Sequence, residues 1–319
     1  MRKRPLLNAE VVPRASEFGL SRVKLFLALS RTPHGLLDLA APALAALLWL
    51  GRLPPLGVTA LGLLTVFAGY TSVYALNDVV DYRVDREKLR LAGPKEGHYL
   101  DAVFMRHPLA AGRVSLPEGL GWTAAWALVA LLGAYSLNPV CALIFLGGCL
   151  LETAYCLLLK VSQLRVLVAG VVKSLGPVAA VLAVDPRPAP IFLAVLFLWL
   201  FFWEVGGQNI PADWHDVEQD RSLDAKTIPV VLGLQRAAAL VLVSLIGSLA
   251  FSLVILRLAP ARFSFFPQLL MVGLGLYLLL LPAWRLSRSH TQSQAADLFN
   301  RASYYPLAVL AVVLINFFI

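Results

Sequence analysis

The chain has 319 residues, 59% of them hydrophobic and 14% charged, with a mean hydropathy of +0.75 and a formal net charge of +8. A balance this apolar excludes a soluble domain of this length and points to an integral membrane protein. The basic residues follow membrane topology, so they orient the chain and meet anionic lipid, and they imply no nucleic-acid partner.

Residues 1–33 read as a cytoplasmic N-terminal segment. The first apolar run starts too late for a secretory signal and lacks its cleavage pattern, so this segment is expected to be retained. Residues 34–319 read as a single transmembrane domain. A spanning helix needs roughly 20 apolar residues, and the runs that qualify are 34–53, 57–76, 119–137, 139–159, 164–184, 189–206, 237–257, 267–284 and 303–319. None alternates as a barrel strand would. The expected fold is therefore all-α, a polytopic membrane protein of nine transmembrane helices. With the N-terminus in the cytoplasm, most Lys and Arg fall in the inner segments, the positive-inside pattern. The membrane expected is the inner or plasma membrane of a prokaryote. Proline-rich stretches at 51–57 and 185–190 read as tight outer turns. Cys141, Cys149 and Cys156 share one face of the fourth run and read as packing residues, without metal or disulfide spacing.

Two connections are long, about 77–118 and 207–236, and both are expected in the cytoplasm. They follow the second and the sixth run. This recurrence suggests two four-helix pseudo-repeats followed by a ninth helix.

The first long connection opens with "NDVVDYRVD", where Asn77, Asp81 and Asp85 recur at i, i+4, i+8 and Asp78 stands beside them. On a continuous helix they share a face, and carboxylates so close repel one another unless a cation is present. The second opens with Asn209, Asp213, Asp216 and Asp220 at spacings of four, three and four, again one face. Oxygen ligands without thiolate suit Mg²⁺, which is bound through one or two carboxylates and completes its shell with water and substrate phosphate. Arg83, Arg106, Arg113, Lys160, Arg221 and Lys226 stand nearby to neutralise phosphate. One acidic helix end alone reads equally well as a solvated terminus; two at matching places do not. His215 receives no metal role.

These residues resemble the UbiA superfamily of intramembrane prenyltransferases, whose pattern is nine helices and two Asp-rich motifs. "NDVVDYRVD" fits NDxxDxxxD in full. Asp216 and Asp220 fit the second DxxxD, and "RSLDAKTIPVVLG" resembles the family's following run, with Asp224 where glycine is usual. Asn209 occupies a place often held by aspartate, with Asp213 standing in. "RHPLAAGRVS" (106–115), "AYCLLLK" (154–160) and "LFNRASYYPL" (298–307) extend the resemblance over nearly the whole chain. The segment 86–105 is longer than usual and is expected to reshape the lid or the acceptor's way in.

The resemblance implies Mg²⁺-dependent transfer of a prenyl group from a polyprenyl diphosphate to a small, aromatic or otherwise lipid-precursor acceptor within the membrane. It implies Asp78, Asp81, Asp85, Asp213, Asp216 and Asp220 as metal ligands, with Asp81 and Asp216 as the catalytic pair. Asn77, Arg83, Arg106, Tyr155, Lys160, Asn209, Arg221 and Lys226 are expected to bind substrate. Tyr70, Tyr74, Trp199 and Trp203 are aromatic candidates to face an allylic cation. Glu152, Lys173 and Glu204 lie within spans, where charge is costly, and are expected to face the bundle interior; Lys173 is read either as an anion site or as the partner of Glu152. The rival readings are a cyclase of the same superfamily that works without an acceptor, and a divalent-cation transporter, whose site belongs nearer the bilayer midplane. The motifs leave acceptor, chain length and oligomeric state open.

Overall fold

The computed structural model describes residues 21–92, 99–261 and 263–318. Every regular element among them is helical. Nine helices among the described residues are long and apolar enough to cross a membrane: Thr32–Leu50, Leu56–Val80, Pro139–Leu157, Arg165–Val184 and Pro190–His215 surround the site, while Leu116–Leu137, Leu234–Leu258, Phe265–Ser289 and Gln292–Phe317 pack around them.

Helix starts follow local chemistry. Ser115 caps the third span through a capping box with Glu118, and Asn138 caps the fourth ahead of Pro139. The ninth span begins at Gln292, well ahead of the apolar run expected from 303. Its polar start is paired within the helix, where Arg301 Nε donates to Asp297 at 2.8 Å, and Leu298, Phe299 and Ala302 bury the other face. Periodicity alone hides such a turn, because a charged pair interrupts the apolar run.

The sixth span contains a π-turn, Glu204–Asn209, and the eighth another, Leu276–Leu280. Each ends two residues before a proline, Pro211 and Pro282. Proline lacks an N–H, and its ring crowds the preceding turn, so widening the helix accommodates it without ending it. In the sixth span the widened turn carries Glu204, Gln208 and Asn209 toward a cavity enclosed by the bundle.

Without a hydrophobic drive between helices in lipid, close packing depends on small residues. A Cβ on Gly133 would overlap Thr65 Oγ1, which is how tightly the second and third spans meet. A Cβ on Gly206 would lie 2.8 Å from Ser244 Cβ, so the π-turn is seated on the seventh span. The main core, with Trp199, Trp203, Trp214 and Tyr305 fully buried, joins the fifth to ninth spans to the first. This core makes the second acidic segment a rigid wall.

Candidate active site

The second span leads into the first acidic wall. Its helix stops at Val80, and a further helix, Tyr82–Ala92, starts after Asp81. The break is slight. Asp81 N–H donates to Asn77 O and Asp85 N–H to Asp81 O, both at 2.9 Å, so the helical spacing carries across it. The sixth span repeats the device: Ile210–His215 ends at Asp216, Val217–Ser222 follows, and Asp220 N–H donates to Asp216 O at 2.9 Å. Asp78, Asp81 and Asp85 correspond to Asp213, Asp216 and Asp220 at one separation, the 135 residues that also divide Asp38 from Lys173.

Cations from other elements meet both walls. Arg31 turns back in the left-handed region, φ 46°, and its Nη2 donates to Asn77 Oδ1 at 2.8 Å and to Asp78 Oδ1 at 3.2 Å. His107, at φ 51°, sets Nδ1 2.9 Å from Asp85 and 3.3 Å from Asp78. Non-glycine residues held at positive φ are strained, and both lie at this one site. Burial opposes a charge on His107, but Asp85 and Asp78 outweigh it and push the imidazole up to about 9. Burial likewise works against Asp85, yet His107 holds that carboxyl below its ordinary range.

At the second wall, Arg106 forks onto Asp216 with Nη1 at 2.9 Å and Nη2 at 2.5 Å, and Lys88 Nζ lies 2.8 Å from Asp220. Arg165 Nη1 stands 3.7 Å from Asp213, with its guanidinium 4.0 Å from the Tyr155 ring centre. Lys88 and Arg106 belong to the first connection, so they tie the two walls together. Asp81 differs: among the described residues no cation lies within ion-pair distance of it. Burial and the Asp85 charge push its carboxyl up.

A cavity of about 480 Å³ opens between the walls and runs down among the first, second, fourth and fifth spans to Leu53, Pro54 and Val184. From Asn77 to Val58 along the second span is roughly 28 Å by the helical rise. The upper end is charged; the lower end is lined by Leu, Val, Ala and Gly. A polar head and a long apolar tail thus have separate compartments in one space.

Several expected site residues lie elsewhere. Arg83, Lys160, Arg221 and Lys226 are exposed and do not line the cavity. Lys160 pairs with Glu87 at 3.3 Å, Arg221 with Glu218 at 3.2 Å, and Lys226 contributes its backbone N–H to Leu159 O. Arg83 follows Asp81 by two residues, which on a helix turns it away from the acidic face. Tyr155 and Asn209 meet, with Asn209 Nδ2 donating to Tyr155 Oη at 2.8 Å. Lys173 does not pair with Glu152; Nζ lies 2.6 Å from Asp38 Oδ2, while Asn77 Nδ2 donates to Glu152 at 2.7 Å. Tyr70 and Tyr74 line the cavity, whereas Trp199 and Trp203 are core. His215 stacks on Tyr99 at 4.9 Å. Asp224 sits at φ 56°, the left-handed conformation that favours the glycine usual at this place.

Arg31, His34, Lys88, Asp101, His107 and Arg165 complete the polar lining, with Asp38 buried against Lys173, and the motifs did not single them out. Asp101, from the long segment 86–105, lies 2.5 Å from His34 Nδ1 and 3.5 Å from Arg31. Burial would raise its pKa, but His34 and Arg31 hold it well below the usual carboxylate range. That segment also supplies Lys88 and Tyr99 to the lining; residues 93–98 lie outside the described residues.

The wall oxygens fit a hard dication. Asp213 Oδ2 and Asn209 Oδ1 are buried without a hydrogen-bond partner among the described residues, and Asp78 and Asp85 converge within 3.3 Å of one His107 nitrogen. Carboxylate and amide oxygens are the donors Mg²⁺ takes.

Comparison with known proteins gives one result. The sequence model described as the UbiA prenyltransferase family matches residues 39–304. A digeranylgeranylglyceryl phosphate synthase of Thermococcus sibiricus is 26% identical over 256 residues, 80% of this chain and 85% of that protein. The apo structure of a UbiA homologue from Aeropyrum pernix has a TM-score of 0.70 at 19% identity, over 88% of this chain and 97% of that one. A UbiA homologue from Archaeoglobus fulgidus, bound to GPP and Mg²⁺, has a TM-score of 0.64 at 18% identity, over 91% and 99%.

Proposed function

The chain belongs to the UbiA prenyltransferase family, and on that premise we propose that it transfers a prenyl group from a polyprenyl diphosphate to a small lipid-precursor acceptor inside the membrane, with Mg²⁺ as cofactor. The observation that carries this reading is the pairing of two carboxylate walls at the charged mouth of one long apolar cavity. A relative supports it: a homologue of this fold is bound to GPP and Mg²⁺.

Asp78, Asp81 and Asp85 on one side and Asp213, Asp216 and Asp220 on the other would hold the metal, with Asn77 and Asn209 beside them. Bound Mg²⁺ supplies charge stabilisation to the diphosphate as the allylic C–O bond breaks. Arg31, Lys88, Arg106 and Arg165 line this mouth together with His107, and their forks and ammonium would take the remaining phosphate oxygens. Tyr70 and Tyr74 lie farther down the same cavity, where their rings already face the Lys173 ammonium at 5.5 and 5.6 Å, so they are not assigned to the prenyl cation. The apolar compartment keeps the tail and excludes water, so the acceptor captures the cation before hydrolysis does. The concentration of Lys and Arg on the side of the mouth supports a cytoplasmic opening.

The test is diphosphate release by the purified protein from prenyl diphosphates of several lengths, with Mg²⁺ and then with excess chelator. The reading predicts release that vanishes with the chelator and returns with Mg²⁺. Undiminished turnover without divalent metal would contradict it.

A further inference from the structure

Below the charged mouth, the cavity passes a second polar group that the diphosphate reading does not use. Lys173 Nζ lies 2.6 Å from Asp38 Oδ2 and donates to Tyr74 Oη at 3.1 Å, and Tyr74 donates in turn to Asp38. These three satisfy one another. Glu204 and Tyr70 line the same stretch of cavity, yet Glu204 Oε2 and Tyr70 Oη are buried without a hydrogen-bond partner among the described residues. Lys173 Nζ stands 5.5 Å from the Tyr70 ring centre and 5.6 Å from that of Trp203, the residue preceding Glu204. A carboxylate and a phenol left unpaired at membrane depth are expensive unless a ligand completes them.

Glu204 opens the π-turn. It is the first residue of the widened segment, and Gly206, two residues on, seats that segment against the seventh span. A π-turn inside an α-helix commonly marks a functional position. The prenyl tail has no polar atom to offer these two groups, so the tail is not their partner.

We propose that Glu204 and Tyr70 form the acceptor subsite, and that the group they bind is an uncharged hydroxyl, of an alcohol or a phenol. The inference rests on the prenyl-transfer reading above. The surroundings select this chemistry: Lys173 and Asp38 neutralise each other at 2.6 Å, so neither is left to balance an ionised group at the subsite. A neutral O–H donates to Glu204 Oε2 and accepts from Tyr70 Oη, which completes both partnerless atoms. Any charged part of the acceptor remains above, among the cations of the mouth.

The experiment uses the full-length protein in detergent, radiolabelled prenyl diphosphates of several lengths, Mg²⁺ and a lipid extract of the source cells as the acceptor pool. Donor Kd and label transfer are measured for the wild type, Glu204→Gln and Tyr70→Phe, and transfer is repeated with an extract whose hydroxyls have been acetylated. The expected result is donor Kd within twofold in all three proteins, an extract concentration for half-maximal transfer raised at least tenfold in both variants, and no transfer to the acetylated extract. The conservative exchanges separate a binding role from a folding role, because a merely structural loss would weaken donor binding as well. Unchanged extract dependence in both variants, equal loss of donor binding, or undiminished transfer to the acetylated extract would overturn the subsite. So would a wild-type protein that binds donor and transfers to nothing in the extract. A wild-type protein that fails to bind the donor at all would instead overturn the prenyl-transfer reading.

Discussion

Arg106 grips Asp216 through both terminal nitrogens, at 2.9 and 2.5 Å, and so ties the first connection to the second acidic wall. A planar fork matches a carboxylate and a phosphate equally well. If the walls receive a diphosphate, Arg106 exchanges one for the other as the donor arrives. Lysine keeps the charge but loses the fork. Arg106→Lys is expected to lower kcat/KM for the prenyl diphosphate by roughly tenfold, or about 1.4 kcal/mol, read by steady-state diphosphate release.

Lys173 and Asp38 form a buried pair between the fifth and first spans. Removing one partner leaves an uncompensated charge, which costs about 3–5 kcal/mol. Lys173→Met should lower Tm in detergent substantially, whereas Lys173→Met combined with Asp38→Asn should recover most of the loss, because no lone charge remains. A thermal-unfolding series over the wild type, the single variant and the double variant checks the order.

Asp101 gives a pH signature. Its folded pKa lies below the ordinary value of about 3.9, held there by His34 and Arg31 against burial. A lowered carboxylate stabilises the fold above its unfolded pKa and loses that contribution as pH falls toward the folded value. The Tm gap between wild type and Asp101→Asn should therefore shrink as pH falls below about 4. A gap that widens between about pH 5 and pH 3 would contradict the assignment.

The contact of Gly133 with Thr65 predicts a packing defect. A methyl group at Gly133 collides with Thr65 Oγ1, so the spans must part. Gly133→Ala should destabilise by about 1–3 kcal/mol, with partial rescue by Thr65→Ala, measured as Tm in detergent.

The architecture was legible because lipid imposes it: an apolar run of spanning length has few alternatives, and the nine runs correspond to nine helices among the described residues. The acidic faces were legible because i, i+4 spacing survives the slight breaks at Asp81 and Asp216. The cations that meet those faces were not. Arg31 and Arg165 each stand at the start of a span and read as ordinary inside-facing charge, and only their return to Asp78 and Asp213 reveals more. Lys160 looked better placed by the AYCLLLK motif and Arg221 by proximity in sequence, but they pair at the surface. Asp38 offered a readable signal, an acid inside the first apolar run, 135 residues before Lys173. Glu204 was legible as a charge inside a span, whereas the π-turn it opens depends on how the helix accommodates Pro211, and periodicity carries no trace of that.

Whether both walls hold one Mg²⁺–diphosphate head is decided by Mg²⁺-dependent diphosphate release in Asp81→Asn and Asp216→Asn, one exchange in each wall, with folding monitored by Tm. Joint binding by the two walls predicts that each exchange alone lowers kcat by about a thousandfold, of the order of 4 kcal/mol, while the protein stays folded. Near wild-type turnover in either variant would contradict it.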